Sequence, residues 1–184
     1  MNINTLKRSL VLSSAALFAA AGLSLAADAP PSAATPTCNG EPATIVGTGG
    51  RDDIEGTAGR DVILGLAGND EIEGNGGNDL ICGNAGDDEV EGDSGDDWLN
   101  GGSGNDELDG DAGNDELIGG SDHDAIEGDR GDDQLLGEAG NDLLEGEAGQ
   151  DSVDGGEGSN ETFQGSAPDP VDDAWERQYR SDDD

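Results

Sequence analysis

From Ile45 to Val153 the chain places a branched aliphatic residue at every ninth position: Ile45, Ile54, Ile63, Ile72, Ile81, Val90, Leu99, Leu108, Leu117, Ile126, Leu135, Leu144 and Val153. Three more columns keep the same beat. Two residues after each aliphatic comes a glycine: Gly47, Gly56, Gly65, Gly74, Gly83, Gly92, Gly101, Gly110, Gly119, Gly128, Gly137, Gly146 and Gly155. Three residues further on, a second glycine column runs from Gly50 to Gly158 and fails once, at Asp122. Two residues after that stands aspartate: Asp52, Asp61, Asp70, Asp79, Asp88, Asp97, Asp106, Asp115, Asp124, Asp133, Asp142 and Asp151, with Asn160 ending the row. Four columns in register at one fixed period are the signature of a repeat architecture.

Each column has a local task. Glycines three apart, closed by Asn-Asp or Asp-Asp, describe a tight turn that needs positive φ angles. After the turn come three residues such as Glu71-Ile72-Glu73. Alternation points the centre of that triplet one way and its flanks the other, as in a very short strand. A three-residue strand cannot stand alone, but at a fixed period it can wind into a coil and stack on the copies before and after it. The central aliphatics then form a thin internal ladder, and the aspartates line up along the turns.

Composition decides what must hold such a stack together. Lys and Arg number 7 against 44 Asp and Glu, a net charge of −37, and aromatics are 3% of residues. That combination leaves too little apolar area to offset chain entropy with an ordinary core. It also excludes nucleic acid and anionic membrane surfaces as partners, because like charges repel. Carboxylates stacked a strand spacing apart repel each other as well unless something neutralises them. A hard divalent cation takes about six to eight oxygen ligands from carboxylates and carbonyls. The aspartate column, Asp52 to Asp151, supplies the charge, and the glycine turns from Gly47 to Gly146 expose backbone carbonyls. Calcium is therefore the expected cofactor and the expected glue.

The repeat resembles the RTX, or hemolysin-type calcium-binding, nonapeptide Gly-Gly-x-Gly-x-Asp-x-U-x, with U aliphatic, over residues 45–160. The resemblance implies an all-β, right-handed parallel β-roll with two repeats per coil and calcium held between a turn and the next turn on the same side. Aspartates eighteen residues apart then pair, from Asp52 with Asp70 to Asp133 with Asp151, for up to ten ions. The chain departs from the motif at its second glycine, where Thr48, Leu66, Asn75, Asp93 and Glu138 stand, although Gly102, Gly120 and Gly156 keep it. Asp122 in GGSDHD predicts a turn with altered geometry. His123 beside it, the single histidine, reads as a solvated turn residue rather than a soft-metal ligand.

The flanks of the strands show a second period of eighteen. One set of alternate triplets reads DIE, EIE, EVE, ELD, AIE and LLE, with an acidic outer row Glu55, Glu73, Glu91, Asp109, Glu127 and Glu145. The other reads VIL, LIC, WLN, ELI, QLL and SVD, and its outer face is apolar near the start, at Val62, Leu64, Leu80, Cys82 and Trp98. An apolar patch of that kind needs a cover. The proline-rich segment 27–44 lies just before the first turn and holds Cys38, the only cysteine besides Cys82. It is expected to fold back over the patch, with Cys38 bonded to Cys82; an intermolecular disulfide is the rival.

The ends differ from the repeats. Lys7 and Arg8 precede an apolar run that closes on Ser24-Leu25-Ala26, a small-x-small pattern. Residues 1–26 read as a secretory signal peptide, too short and too broken by Ser and Gly for a membrane anchor. The expected location is secreted and extracellular, with no membrane insertion after processing. Residues 161–184 read as an acidic linker and C-terminal cap, with Trp175 and Tyr179 on one face of a short helix. Catalysis has no support: the carboxylates recur as a lattice, and no serine near the repeats stands beside a base. The sequence thus points to a calcium-binding protein that folds on the metal. An adhesive module with an extracellular partner, or a mineral-interacting calcium buffer, is the alternative.

Overall fold

The computed structural model describes residues 35–165. A small antiparallel hairpin, β1 (Thr37–Cys38) and β2 (Glu41–Pro42), opens the fold. Thereafter the chain alternates between two parallel seven-stranded sheets. The first sheet takes β3 (Ile45–Val46), β5 (Val62–Ala67), β7 (Leu80–Ala85), β9 (Trp98–Ser103), β11 (Glu116–Ser121), β13 (Gln134–Ala139) and β15 (Ser152–Asp154). The second takes β4 (Asp53–Glu55), β6 (Glu71–Glu73), β8 (Glu89–Glu91), β10 (Glu107–Asp109), β12 (Ala125–Glu127), β14 (Leu143–Glu145) and β16 (Glu161–Phe163). Each strand pairs with the one two elements on, at an offset of eighteen residues, as in Ile63 with Ile81 and Leu108 with Ile126. The chain is the all-β stacked roll that the repeat implies, with two strands per coil.

The nine-residue aliphatic column is its core. Ile54 through Leu144 form one buried cluster, contributed by the two sheets in turn, with Ile45 and Val153 half-covered at its ends. One aliphatic side chain per strand is a thin core, so each rung counts. Leu108 is 1% exposed at mid-stack, within the single aliphatic column that forms the core. Leu108→Ala should lower the stability of the folded roll by roughly 2–5 kcal/mol, measured by denaturant unfolding in saturating calcium.

Two features depart from the sequence reading. Strands β5 to β13 of the first sheet run six residues rather than three. Their pairing resumes past the first glycine, at Leu66 with Asn84 and Ala67 with Ala85. The first residue of the resumed stretch, such as Leu66 (φ 84) or Asn84 (φ 80), lies in the left-handed region and turns the chain there. The roll also extends one strand beyond residue 160. Thr162 of β16 occupies the next aliphatic position after Val153 and pairs with Leu144. Its side chain is polar and exposed, so the column loses its apolar signal while the hydrogen-bonded register continues.

The hairpin sits where a cover was expected. Cys38, Val62, Leu64 and Cys82 form a second buried cluster, with Ala43, Leu80 and Trp98 packed against it. Cys38 and Cys82 form an intramolecular disulfide, with Cα atoms 5.9 Å apart. Closing a 44-residue separation contributes about 4 kcal/mol in the chain-entropy picture. The expected signal peptide at 1–26, the first part of the covering segment at 27–34 and the helical cap drawn on Trp175 and Tyr179 lie outside the described residues.

Candidate metal centre

The aspartate of each repeat ends its turn and tucks under the chain. From Asp61 to Asp142 these side chains are buried, at 7% exposure or less. Burial follows from a specific bond. From Asp70 onward the Oδ1 atom of each accepts the backbone N–H of the aspartate eighteen residues earlier, while Asp61 Oδ1 accepts the Thr44 hydroxyl. The series begins with Asp52 to Asp70 at 2.8 Å, continues through Asp88 to Asp106 at 2.9 Å, and reaches Asp133 to Asp151 at 3.1 Å. Two parallel ladders result, one on each side of the roll. Asp52, Asp70, Asp88, Asp106, Asp124 and Asp142 build the first; Asp61, Asp79, Asp97, Asp115, Asp133 and Asp151 build the second.

The second carboxylate oxygen has no such partner. Asp70, Asp79, Asp88, Asp97, Asp106, Asp115, Asp124, Asp133, Asp142 and Asp151 each hold a buried Oδ2 without a hydrogen bond. These are the later members of the ten aspartate pairs expected from the sequence. A buried acceptor left unsatisfied is costly, and a buried charge more so. Beside each oxygen lies a glycine of the first column whose missing side chain leaves room. A Cβ on Gly74 would stand 2.8 Å from Asp79 Oδ2 and 2.8 Å from the Gly92 carbonyl oxygen; on Gly110, 2.9 Å from Asp115 Oδ2 and 3.1 Å from the Gly128 carbonyl. Gly65, Gly92, Gly128 and Gly137 repeat this arrangement. Each of these six cradles thus presents a carboxylate oxygen and a carbonyl oxygen of the next coil, the donor set that suits calcium.

Charge in the ladders is strained. Burial pushes the carboxyls of Asp97, Asp124 and Asp133 up to about 6, and those of Asp106 and Asp115 up to about 7, against the lowering effect of the backbone hydrogen bond each accepts. Neighbouring aspartates of the same ladder raise them further. Asp79 and Asp88 shift the same way, burial first. A cation in the cradle would relieve both effects at once.

The ladder ends are built differently. Asp52 Oδ2 accepts the Thr48 N–H at 2.6 Å and the Thr48 hydroxyl at 3.0 Å; Asp61 Oδ2 accepts both Thr57 donors at 2.8 Å. At the far end Asn160 keeps the Oδ1 contact with Asp142 N–H at 2.9 Å, while its Nδ2 donates to the Gly155 carbonyl at 2.6 Å. An amide donor there satisfies the carbonyl directly.

Sequence reasoning missed a second, exposed set of rungs one position before the aspartates. Asn105 N–H donates to Asp87 Oδ1, His123 N–H to Asn105 Oδ1, Asn141 N–H to His123 Nδ1 and Ser159 N–H to Asn141 Oδ1. His123 is thus a rung with an accepting Nδ1. The available signal was that this column favours short side chains with an acceptor. Asp122 does alter its turn, taking the left-handed conformation (φ 83), which Asp tolerates, where glycines of its column such as Gly104 (φ 127) and Gly131 (φ 150) are more extended, yet the Asp106–Asp124 rung stays intact. On the outer edge of the second sheet, Asp109, Asp111 and Asp129 bring carboxylate oxygens within 4.8 Å of one another.

Comparison with known families closes the identification. No curated protein matches the chain. The model of the RTX calcium-binding nonapeptide repeat matches it in overlapping stretches at residues 46–81, 55–90, 83–117, 91–126, 101–135 and 127–161. These stretches cover nearly the whole roll and more than half of the chain, so the protein belongs to the RTX calcium-binding nonapeptide repeat family.

Proposed function

We propose that this is a secreted calcium-binding protein, not an enzyme, whose roll folds as the two aspartate ladders take up calcium. The ten orphaned Asp oxygens, each beside a glycine cradle, carry this reading. The aspartates from Asp70 to Asp151 are the side-chain ligands, Asp52 and Asp61 being held by Thr48 and Thr57 instead, and the turn glycines from Gly47 to Gly146 supply carbonyls. Bound calcium would supply the positive charge that stacked, desolvated carboxylates lack. The protein's own part is to orient the ligands. The Oδ1 bond to the previous coil fixes each carboxylate, and the absent Cβ keeps the cradle open. Because each rung joins two coils, binding and stacking reinforce each other. Affinity per site is expected on the order of 10⁻⁴–10⁻³ M, as in extracellular modules. The disulfide and the leader-like residues 1–26 support an oxidising, extracellular location.

Native mass spectrometry of the oxidised chain across a calcium titration tests this. The expected result is a jump from the free chain to a multiply loaded species near ten ions, with little population between. One or two ions bound independently would sink the ladder reading.

A further inference from the structure

We propose that the roll contains a metal-independent N-terminal nucleus, residues 35–85, from which calcium-dependent folding propagates toward β16. The proposal rests on reading the ladders as calcium sites and adds where their folding begins.

Four features concentrate at this end, the first two of them sharing Cys38 and Cys82. The disulfide joins the hairpin to β7 across two coils. The second hydrophobic cluster, Cys38, Val62, Leu64 and Cys82, gives these coils apolar packing on the outside of a sheet as well as within the roll. No buried cluster of that kind accompanies the later coils among the described residues. The turns themselves differ too. Thr48 and Thr57 lie outside the left-handed region that Leu66, Asn75, Asn84 and Asp93 adopt at the same column position. A β-branched residue resists that conformation. Held out of it, each threonine points its N–H and hydroxyl at the Oδ2 that the later turns leave bare. Protein donors therefore occupy the place assigned to the cation.

Charge follows the same gradient. Both ion pairs among the described residues, Arg51–Glu71 at 3.1 Å and Arg60–Glu41 at 2.8 Å, lie in this segment. Both are solvent-exposed and individually weak, yet they put positive charge where the ladders start. Beyond Ala85 the chain has eight of the ten orphaned oxygens, from Asp88 to Asp151, and only Arg130 as a described cation. In this segment Asp52 and Asp61 close with bonds from Thr48 and Thr57, and only Asp70 and Asp79 keep an orphaned oxygen, whereas every ladder aspartate from Asp88 onward has one. Since a nascent coil needs a finished neighbour to pair with, a preformed N-terminal edge, β6 and β7, offers calcium a template on which Asp88 and Asp97 complete the next sites.

Hydrogen exchange of the full-length oxidised chain, read by peptide mass spectrometry in chelator and in saturating calcium at neutral pH, tests the idea. Protection in chelator should be confined to peptides within 35–85, at amides such as Thr44 to Val62 O, Gly47 to Leu64 O and Leu80 to Asp61 O. Calcium should extend it through Glu116 and Gln134 to β16. No protection anywhere in chelator, followed by simultaneous gain with calcium, would overturn the nucleus and leave the calcium reading standing. Protection throughout in chelator would overturn both. A variant combining Cys38→Ser, Cys82→Ser, Thr48→Val and Thr57→Val should lose the chelator-resistant protection of 35–85 yet still gain protection with calcium. Unchanged protection of that segment in chelator would overturn the proposal.

Discussion

Gly110→Ala should remove at least one bound calcium and destabilise the loaded roll, while Gly76→Ala should do neither. Gly110 belongs to the first glycine column and Gly76 to neither column, and neither has a positive φ, so the backbone accepts alanine at both. What differs is the space. At Gly110 the new methyl would lie 2.9 Å from Asp115 Oδ2, 3.1 Å from the Gly128 carbonyl oxygen and 3.2 Å from Asp115 Cβ. It fills the cradle and pushes on both proposed ligands. At Gly76 the nearest atom is the Ser94 carbonyl oxygen at 3.8 Å, an ordinary contact. Overpacking alone costs about 1–3 kcal/mol, and the forfeited site adds to that. Native mass spectrometry gives the ion count, and denaturant unfolding in calcium gives the stability. An unchanged count for Gly110→Ala would mean that the cradle is not where the metal binds.

Acid should substitute in part for calcium. In the metal-free fold, Asp97, Asp124 and Asp133 titrate near 6 and Asp106 and Asp115 near 7, whereas an unfolded chain titrates them near the ordinary value of 3.8. Between those limits the folded state holds protons that the unfolded chain releases. The stability tied to those protons is fully present below the unfolded pKa and is lost as pH rises through about 6 to 7. In chelator, therefore, β-structure increases as pH is lowered from 8 to 5. With calcium present the direction reverses, because the same carboxylates must be deprotonated to serve as ligands. The calcium concentration needed for folding rises as pH falls below 7. Far-UV circular dichroism over this range, with and without chelator, reads both trends. A chelated spectrum indifferent to pH would show that the ladder carboxylates carry no burial strain.

Much of this was legible before any coordinates. The aliphatic column announces the core from Ile54 to Leu144, and the alternating flanks announce two sheets with different outer faces. The apolar flanks Val62 and Leu64, with a lone pair of cysteines, announce the cover and its disulfide. What the sequence withholds is the direction of hydrogen bonds. Thr48 reads as a departure from a glycine position, and only geometry shows that it and Thr57, in the same column, bond Asp52 and Asp61. Asn160 reads as the end of a row, yet its amide closes a ladder. The strand at Glu161–Phe163 is invisible in the pattern because Thr162 breaks the aliphatic column while keeping the backbone register. Likewise the rung through His123 depends on which atom accepts, which residue type alone does not specify.

The central claim, that calcium in the ladders holds the roll together, is tested most directly by far-UV circular dichroism of the oxidised, processed chain titrated with calcium at neutral pH, with magnesium as the control. Magnesium demands a smaller octahedral shell and gives up water reluctantly, so it should not substitute. The expected result is a weak β signal in chelator, a steep cooperative rise with calcium and no comparable rise with magnesium. A full β spectrum already present in chelator at neutral pH would contradict the account, because core, disulfide and backbone rungs would then hold the roll without the metal.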